Sequence, residues 1–301
     1  MADHLDLRDL RYFETIAETG HVGRAAKKLF RTQPALTGAI RRLEDTLGTQ
    51  LFERAGRGIR LTAAGHALLA RARALRIASE DAVREIGDLG KGLAGLVRVG
   101  AVPTVASFLL PPLTREFLKE APEVTFKTVI GHDNVLQAVL NAGELDVLVS
   151  FASRADGDLE SHAIFEDEVV IVASRSHRVL RTKAKMKDLL AYRWVLAPPS
   201  VATRQWLDHA FHSRGLPGPK VQIETNLILL LPALIEQNNL LSFISRRHLG
   251  KGSPLREVPL KEATMRREFV VTYRKDSYLS PAARRFIEML RKRGKELFDR
   301  G

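Results

Sequence analysis

Thr32, Gln33, Thr37 and Arg41 fall on one side of a helix of 3.6 residues per turn, opposite Leu36, Ile40 and Leu43. These four types suit a single chemistry. Gln pairs with the edge of adenine, Thr donates, accepts or touches a thymine methyl, and Arg holds guanine or a phosphate. Pro34 lies in the same first turn, which is the part of a recognition helix that meets base edges. Further on, Arg54, Arg57 and Arg60 come three residues apart around Ala55-Gly56-Arg57-Gly58, where they would reach phosphates or a minor groove. Residues 20–60 carry nine basic and three acidic side chains. Any single arginine of this set reads equally well as part of a solvated face. The ordered combination of helices, cap and basic turn favours duplex recognition.

Catalytic patterns are missing. The sequence contains no GxxxxGK[ST], HExxH or GxSxG. His177, His209 and His212 have no metal-ligand spacing with carboxylates, and Ser200 has no identifiable base. With no cysteine there is no disulfide, thiolate metal site or cysteine nucleophile. No enzyme activity, metal or cofactor is expected.

The elements that position the first set read as short helices. Leu7, Leu10, Phe13 and Ala17 recur at helical spacing behind a capping Asp6. Val22, Ala25, Ala26, Leu29 and Phe30 form a second stripe. A third helix starts at Thr32, whose hydroxyl is expected to cap it, and ends at a left-handed Gly48. Strand-like pieces 51–54 and 59–61 then flank the glycine turn. The plan is a winged helix-turn-helix over residues 1–61.

Thr62 caps a long helix in which Leu68, Ala72, Leu75, Ser79, Ala82, Ile86 and Leu89 alternate four and three apart. From 62 to 89 it would run ~42 Å at about 1.5 Å per residue. So narrow a stripe fits a partner helix better than a core, so Leu68, Ala72, Leu75, Ala82, Ile86 and Leu89 are expected to pair two chains; packing on its own chain is the alternative. Glycines 87, 90, 92 and 95 mark a hinge. Residues 62–91 are therefore a linker and 92–301 a separate domain. There strands (97–101, 124–129, 146–150, 168–173, 194–197, 221–224, 241–245, 269–273) alternate with helices (104–120, 134–142, 203–213, 227–237, 281–298), the pattern of an α/β fold.

Composition agrees with this outline. The 301 residues are 45% apolar and 27% charged, which excludes disorder and rod-like repeats. The net charge of +12 invites a polyanionic partner. No apolar run reaches the ~20 residues of a membrane span. MADHLDLRDL lacks the basic-then-apolar order of an export signal, so a cytoplasmic location is expected.

The N-terminal string resembles the LysR-type transcriptional regulators. It comprises Leu10-Arg11-Tyr12-Phe13, Ala25-Ala26, Gln33-Pro34-Ala35-Leu36, Leu43-Glu44, Leu47-Gly48, Leu51-Phe52-Glu53-Arg54, Leu61-Thr62 and Gly65. Gly143-Glu144-Leu145-Asp146, Arg204 and the overall length extend the likeness. The resemblance implies an all-helical winged helix-turn-helix module and a C-terminal two-lobed, periplasmic-binding-protein-like α/β domain. Lobe I would hold 92–163 and 266–301, lobe II 164–265. It also implies a homotetramer (a dimer of dimers) on operator DNA, with RNA polymerase as a further partner. The chain departs from the family at His21, where capping should weaken, and at Gly38 and Ala39, where two DNA contacts should be lost. It departs again at Asn238-Asn239, where the family has a glycine turn.

In such a two-lobed domain the effector residues fall at helix starts and strand ends facing a cleft. Thr104, His132, Phe151, Ser200, Thr203 and Asn226 occupy those positions, and free N–H groups there suit a small carboxylate. Each is individually as good a cap or turn residue. The competing readings are a DNA-binding protein without effector and, less well supported, a solute-binding protein.

Overall fold

The computed structural model describes residues 4–56, 58–90, 92–152 and 157–300. The chain divides into two compact units, Met1–Gly90 and Lys91–Gly301.

In the first unit, helix α1 (Leu7–Thr19) begins where the Asp6 carboxylate accepts from the Arg8 amide at 2.7 Å. It ends at Gly20, whose φ of 61° is the left-handed conformation glycine adopts freely. Helix α2 (Val22–Lys28) is capped after all: His21 Nδ1 accepts from the Gly23 amide at 3.0 Å, so the ring does what a serine would. Helix α3 (Gln33–Leu47) departs from expectation at its start. Thr32 holds the cap position but its hydroxyl makes no capping bond, and Pro34 sits in the first turn, where a missing N–H costs nothing. Strands β1 (Phe52–Ala55) and β2 (Gly58–Leu61) pair antiparallel, so the module is helical apart from its wing. Helix α4 (Ala63–Asp88) opens on Thr62, whose hydroxyl accepts from the Gly65 amide at 3.0 Å. A Cβ on Gly65 would lie 2.2 Å from the Leu51 carbonyl oxygen, so only glycine lets α4 approach the wing this closely.

Two apolar expectations shift. In α1 the buried stripe is Leu10, Phe13 and Ile16, while Leu7 is 52% exposed. Phe30 is 93% exposed because it lies beyond α2, in a turn with φ 53° that carries its ring out of the core.

The second unit is α/β. Its N-terminal part runs β3 (Gly95–Ala101), α5 (Pro103–Phe108), α6 (Leu110–Glu120), β4 (Val124–Ile130), α7 (Asp133–Asn141) and β5 (Val147–Phe151). The helix expected over 104–120 is two helices, because Pro111 and Pro112 cannot continue the ladder of α5. Strand β6 (Leu159–Ser174) follows, then β7 (Arg193–Leu196), α8 (Ala202–His212), β8 (Lys220–Glu224), α9 (Leu231–Asn238), β9 (Ser242–Ser245) and β10 (Leu255–Glu257). Strand β11 (Met265–Arg274) and helix α10 (Pro281–Arg300) complete the chain. In the principal sheet the order is β10-β6-β11-β5-β3-β4, with β9 also paired to β6, and β7 and β8 form a parallel pair.

Strands β6 and β11 pair antiparallel from Leu159 to Val169 and run through two apolar bodies. One core gathers around Val99, Leu113, Phe117 and Phe286; the other gathers around Trp194, Leu207 and Phe211 on one face of its sheet and Ile235 and Leu240 on the other. Only the second half of β6 was legible as a strand. Glu160, Glu166, Asp167 and Glu168 interrupt the apolar pattern, yet Asp167 and Glu168 are neutralised by Arg267 and Arg266 opposite. Asn239 takes φ 53° at the end of α9, so asparagine supplies the left-handed turn expected of a glycine.

Candidate DNA-reading face and effector cleft

Helix α3 buries Leu36, Ala39, Ile40 and Leu43 and leaves Thr32, Gln33, Pro34 and Arg41 exposed, with Thr37 half-buried. Thr37 donates to the Gln33 carbonyl at 3.0 Å and retains its lone pairs for a further partner. Ala39 is in the core, so a DNA contact was never available there. Gly38 is different: a Cβ would meet nothing nearer than Arg42 Nη1 at 3.6 Å. Arg54 and Arg60 are exposed on the wing, Arg60 paired with Glu53 at 2.7 Å. Arg57 lies outside the described residues.

Three carboxylates that periodicity could not reveal fix the helices and the wing. Asp9, buried in α1, accepts from Arg42 Nε and Nη2 at 2.8 Å each, which ties α1 to α3 one residue from Arg41. That bond pushes the Arg42 guanidinium above its ordinary value. Glu44 Oε1 accepts from the Leu51 amide at 2.8 Å and ties α3 to the wing. Glu14, also buried, holds Arg76 at 3.2 Å and Arg73 at 3.6 Å, joining α1 to α4.

The heptad seam of α4 divides. Leu68 and Ala72 pack into the unit's own core, so they are not free for a partner. Leu75, Ala82 and Ile86 are exposed, Ile86 by 71%. Leu89 is exposed too, but α4 ends at Asp88, so Leu89 stands past the helix.

Within the second unit a cleft is lined by Thr104, His132, Phe151, Thr203 and Asn226, five of the six residues singled out, with Val169, Val201, Leu231, Phe243 and Arg267 among its other walls. Ser200 does not line it: Val201 is the cap of α8, and Ser200 stands in the exposed turn before it. The caps of α5 and α8 are Val102 and Val201, so neither Thr104 nor Thr203 is occupied as an N-cap. The cavity is about 70 Å³.

The residue missed is Arg267, whose side chain is 7% exposed. Its Nε and Nη2 donate to Oδ2 of Asp167 at 2.9 and 2.6 Å, and Nη2 also donates to Thr104 Oγ1 at 3.1 Å. The guanidinium lies 4.5 Å over the Phe151 ring. Ser245 Oγ donates to Asp167 Oδ1 at 2.8 Å. Burial pushes Arg267 below the ordinary arginine value, against the opposing effect of Asp167, and a guanidinium still stays charged. The acidic run Glu166-Asp167-Glu168 in β6 and the adjacent Arg266-Arg267 in β11 were the only sequence signal for this pair.

The same unit buries His177 and half-buries His248. His177 Nδ1 accepts from the Val179 amide at 3.1 Å while Nε2 faces the Asn239 carbonyl at 3.2 Å, which sets the neutral tautomer with the proton on Nε2. His248 lies edge-on to Phe108 at 4.9 Å. Burial pushes both below the ordinary histidine value. Among the described residues no three His, Asp or Glu side chains gather as a metal site, and no helix is long and apolar enough to cross a membrane.

Two family models match the chain. The bacterial regulatory helix-turn-helix protein of the lysR family covers residues 7–66, and the LysR substrate binding domain covers residues 90–295. Among curated relatives, the HTH-type transcriptional regulator PcaQ of Agrobacterium fabrum is 33% identical over 228 residues, 73% of this chain and 72% of that one. Among solved structures, CbnR, a LysR family transcriptional regulator, is 25% identical with a TM-score of 0.62, covering 95% of this chain and 98% of its own. Full-length CbnR complexed with its target DNA is 27% identical with a TM-score of 0.53, over 95% and 99%.

Proposed function

The chain belongs to the lysR family of DNA-binding transcription regulators, with a helix-turn-helix module and a substrate-binding domain, and from that premise we propose how its own residues divide the work. Thr32, Gln33, Pro34, Thr37 and Arg41 read an operator in double-stranded DNA, and Arg54 and Arg57 on the wing hold its backbone. What carries this reading is the exposed face of α3 behind which Asp9 and Arg42 lock the helix. Thr104, His132, Phe151, Thr203 and Asn226 hold a small-molecule effector, and the donors there favour a carboxylate. Leu75, Ala82 and Ile86 pair α4 with a second copy, as the first step towards a homotetramer that works with RNA polymerase in the cytoplasm. The protein acts by binding rather than catalysis.

Operator binding tests the first part. Thr37→Ala and Arg41→Ala should each cost ~1–3 kcal/mol if they read bases, whereas loss of a phosphate contact should lower the salt slope by about one. Fluorescence anisotropy against salt measures both. Unchanged affinity and slope in both variants removes α3 from the recognition role. Leu75→Asp sets an unpaired charge in an apolar helix pair at a cost of several kcal/mol. Analytical ultracentrifugation should then find smaller species and anisotropy a weaker complex, while a full-sized oligomer with tight binding contradicts the pairing.

A cavity of about 70 Å³ is small against the roughly 300–1,000 Å³ of most ligand sites, and this favours the second reading, DNA binding without effector. Absence of any ligand-induced thermal shift would support that reading.

A further inference from the structure

Among the described residues lining the cleft, Arg267 is the one lysine or arginine and none is a carboxylate. Three of the guanidinium's donor interactions are used, by Asp167 and Thr104, and all of them involve Nε and Nη2. Nη1 makes no hydrogen bond among the described residues, so two charged N–H donors remain. Thr104 accepts from Arg267, which leaves its own hydroxyl proton free to donate. The cleft therefore offers an acceptor a charged donor and a hydroxyl, set against Phe151.

Asp167 is not part of the lining; it pairs with Arg267 directly across β6 and β11 and is fixed on its far oxygen by Ser245. It keeps the arginine in place without a ligand, and it opposes the arrival of an anion. One carboxylate can be held by the free end of Arg267. A second carboxylate on the same molecule would find the apolar Val169, Val201, Leu231 and Phe243 or the uncharged Thr203 and Asn226, and no second lysine or arginine among the described lining residues. Size sets a further limit. About 70 Å³, well under the roughly 300–1,000 Å³ of most ligand sites, suits a small acid rather than a large one.

We propose that Arg267, held from behind by Asp167, selects the effector as a short-chain monocarboxylate, which docks on Nη1 and the Thr104 hydroxyl. The proposal rests on reading the cleft as the effector site. Charge recognition comes from one arginine, and Asp167 sets its strength: removing that carboxylate's charge strengthens the arginine's hold on an anion.

The full-length protein is titrated with acetate, propionate and butyrate, with their primary amides, and with malonate and succinate, following thermal shift and calorimetric binding. The monocarboxylates should bind and the amides and dicarboxylates should not. Asp167→Asn should tighten monocarboxylate binding about tenfold, the scale of one nearby charge in partly screened surroundings. Arg267→Gln combined with Asp167→Asn leaves no buried charge unpaired and should fold, yet bind none of the three acids. Circular dichroism checks that fold. Amides that bind as well as the acids, or tighter dicarboxylate binding, overturn the selection by Arg267 while leaving the cleft as the site. Acid binding that survives in the double variant moves the site elsewhere. No shift from any member of the panel in the wild type or Asp167→Asn overturns the short monocarboxylate; operator affinity that also ignores a wider metabolite panel overturns the effector reading itself.

Discussion

Asp9–Arg42 in the first unit and Asp167–Arg267 in the second are the same pair of side chains under opposite conditions. Both aspartates are buried, but Arg42 is 59% exposed and Arg267 7%. The bond to Asp9 raises Arg42 above its ordinary value, whereas burial lowers Arg267 against the raising effect of Asp167. The first pair thus acts as a fastener, holding α3 against α1 from outside. The second is a charge kept in an apolar place, and such a charge answers strongly to whatever approaches it. Sequence separation differs as well, 33 residues against 100.

The sharpest break of this comparison is to remove each arginine. Arg267→Met leaves Asp167 buried and unpaired and should cost ~3–5 kcal/mol, whereas Arg42→Ala lets water reach Asp9 and should cost ~1–2 kcal/mol. Both tryptophans, Trp194 and Trp206, lie in the second unit, so their fluorescence follows Arg267→Met while circular dichroism follows both variants. Equal losses would mean that burial does not separate the pairs.

A smaller effect distinguishes the units by pH. His177 and His248 lie below the ordinary value of 6.5 in the folded second unit, through burial, against the Asn239 carbonyl for one and the Ser245 carbonyl and Asp167 for the other. Between the folded and unfolded values the unfolded chain binds more protons. Their contribution is intact above pH 6.5 and is lost as pH falls through that window. The tryptophan-detected melting temperature should fall from pH 7 to pH 5, and His177→Gln with His248→Gln should flatten the slope. An unchanged slope in that double variant assigns the pH dependence to other groups.

The smallest expected change is a gain. Gly38→Ala fits its surroundings and should stabilise the first unit by ~0.5–1 kcal/mol, seen as a shift of the urea midpoint. A loss there would mean that α3 needs the glycine for a close approach absent from the free protein.

The first unit was legible because its determinants are local. Asp6, Thr62, Gly20 and Gly48 act within a turn of their own helix, and Leu36, Ile40 and Leu43 identify the buried side of α3 by spacing alone. Ile16, Ala39 and the exposure of Phe30 were not read correctly, since each depends on where a neighbouring helix lies. In the second unit, periodicity located most strands and helices, and helix starts pointed to Thr104, His132, Phe151, Thr203 and Asn226 before any cavity was known.

What the sequence determined by itself was the order of elements, the winged module and the family, because caps, turns and apolar periods are short-range properties of the chain. Only the tertiary structure decided which charges share a buried space. Leu68 and Ala72 belong to their own unit's core because α1 packs across α4, and Ser200 falls outside the cleft because it stands in the turn before Val201, the cap of α8. Arg267 meets Asp167 because β6 and β11 run antiparallel in one register, which puts residues 100 apart directly opposite each other. No local pattern records that register; it is set by the packing of both lobes at once.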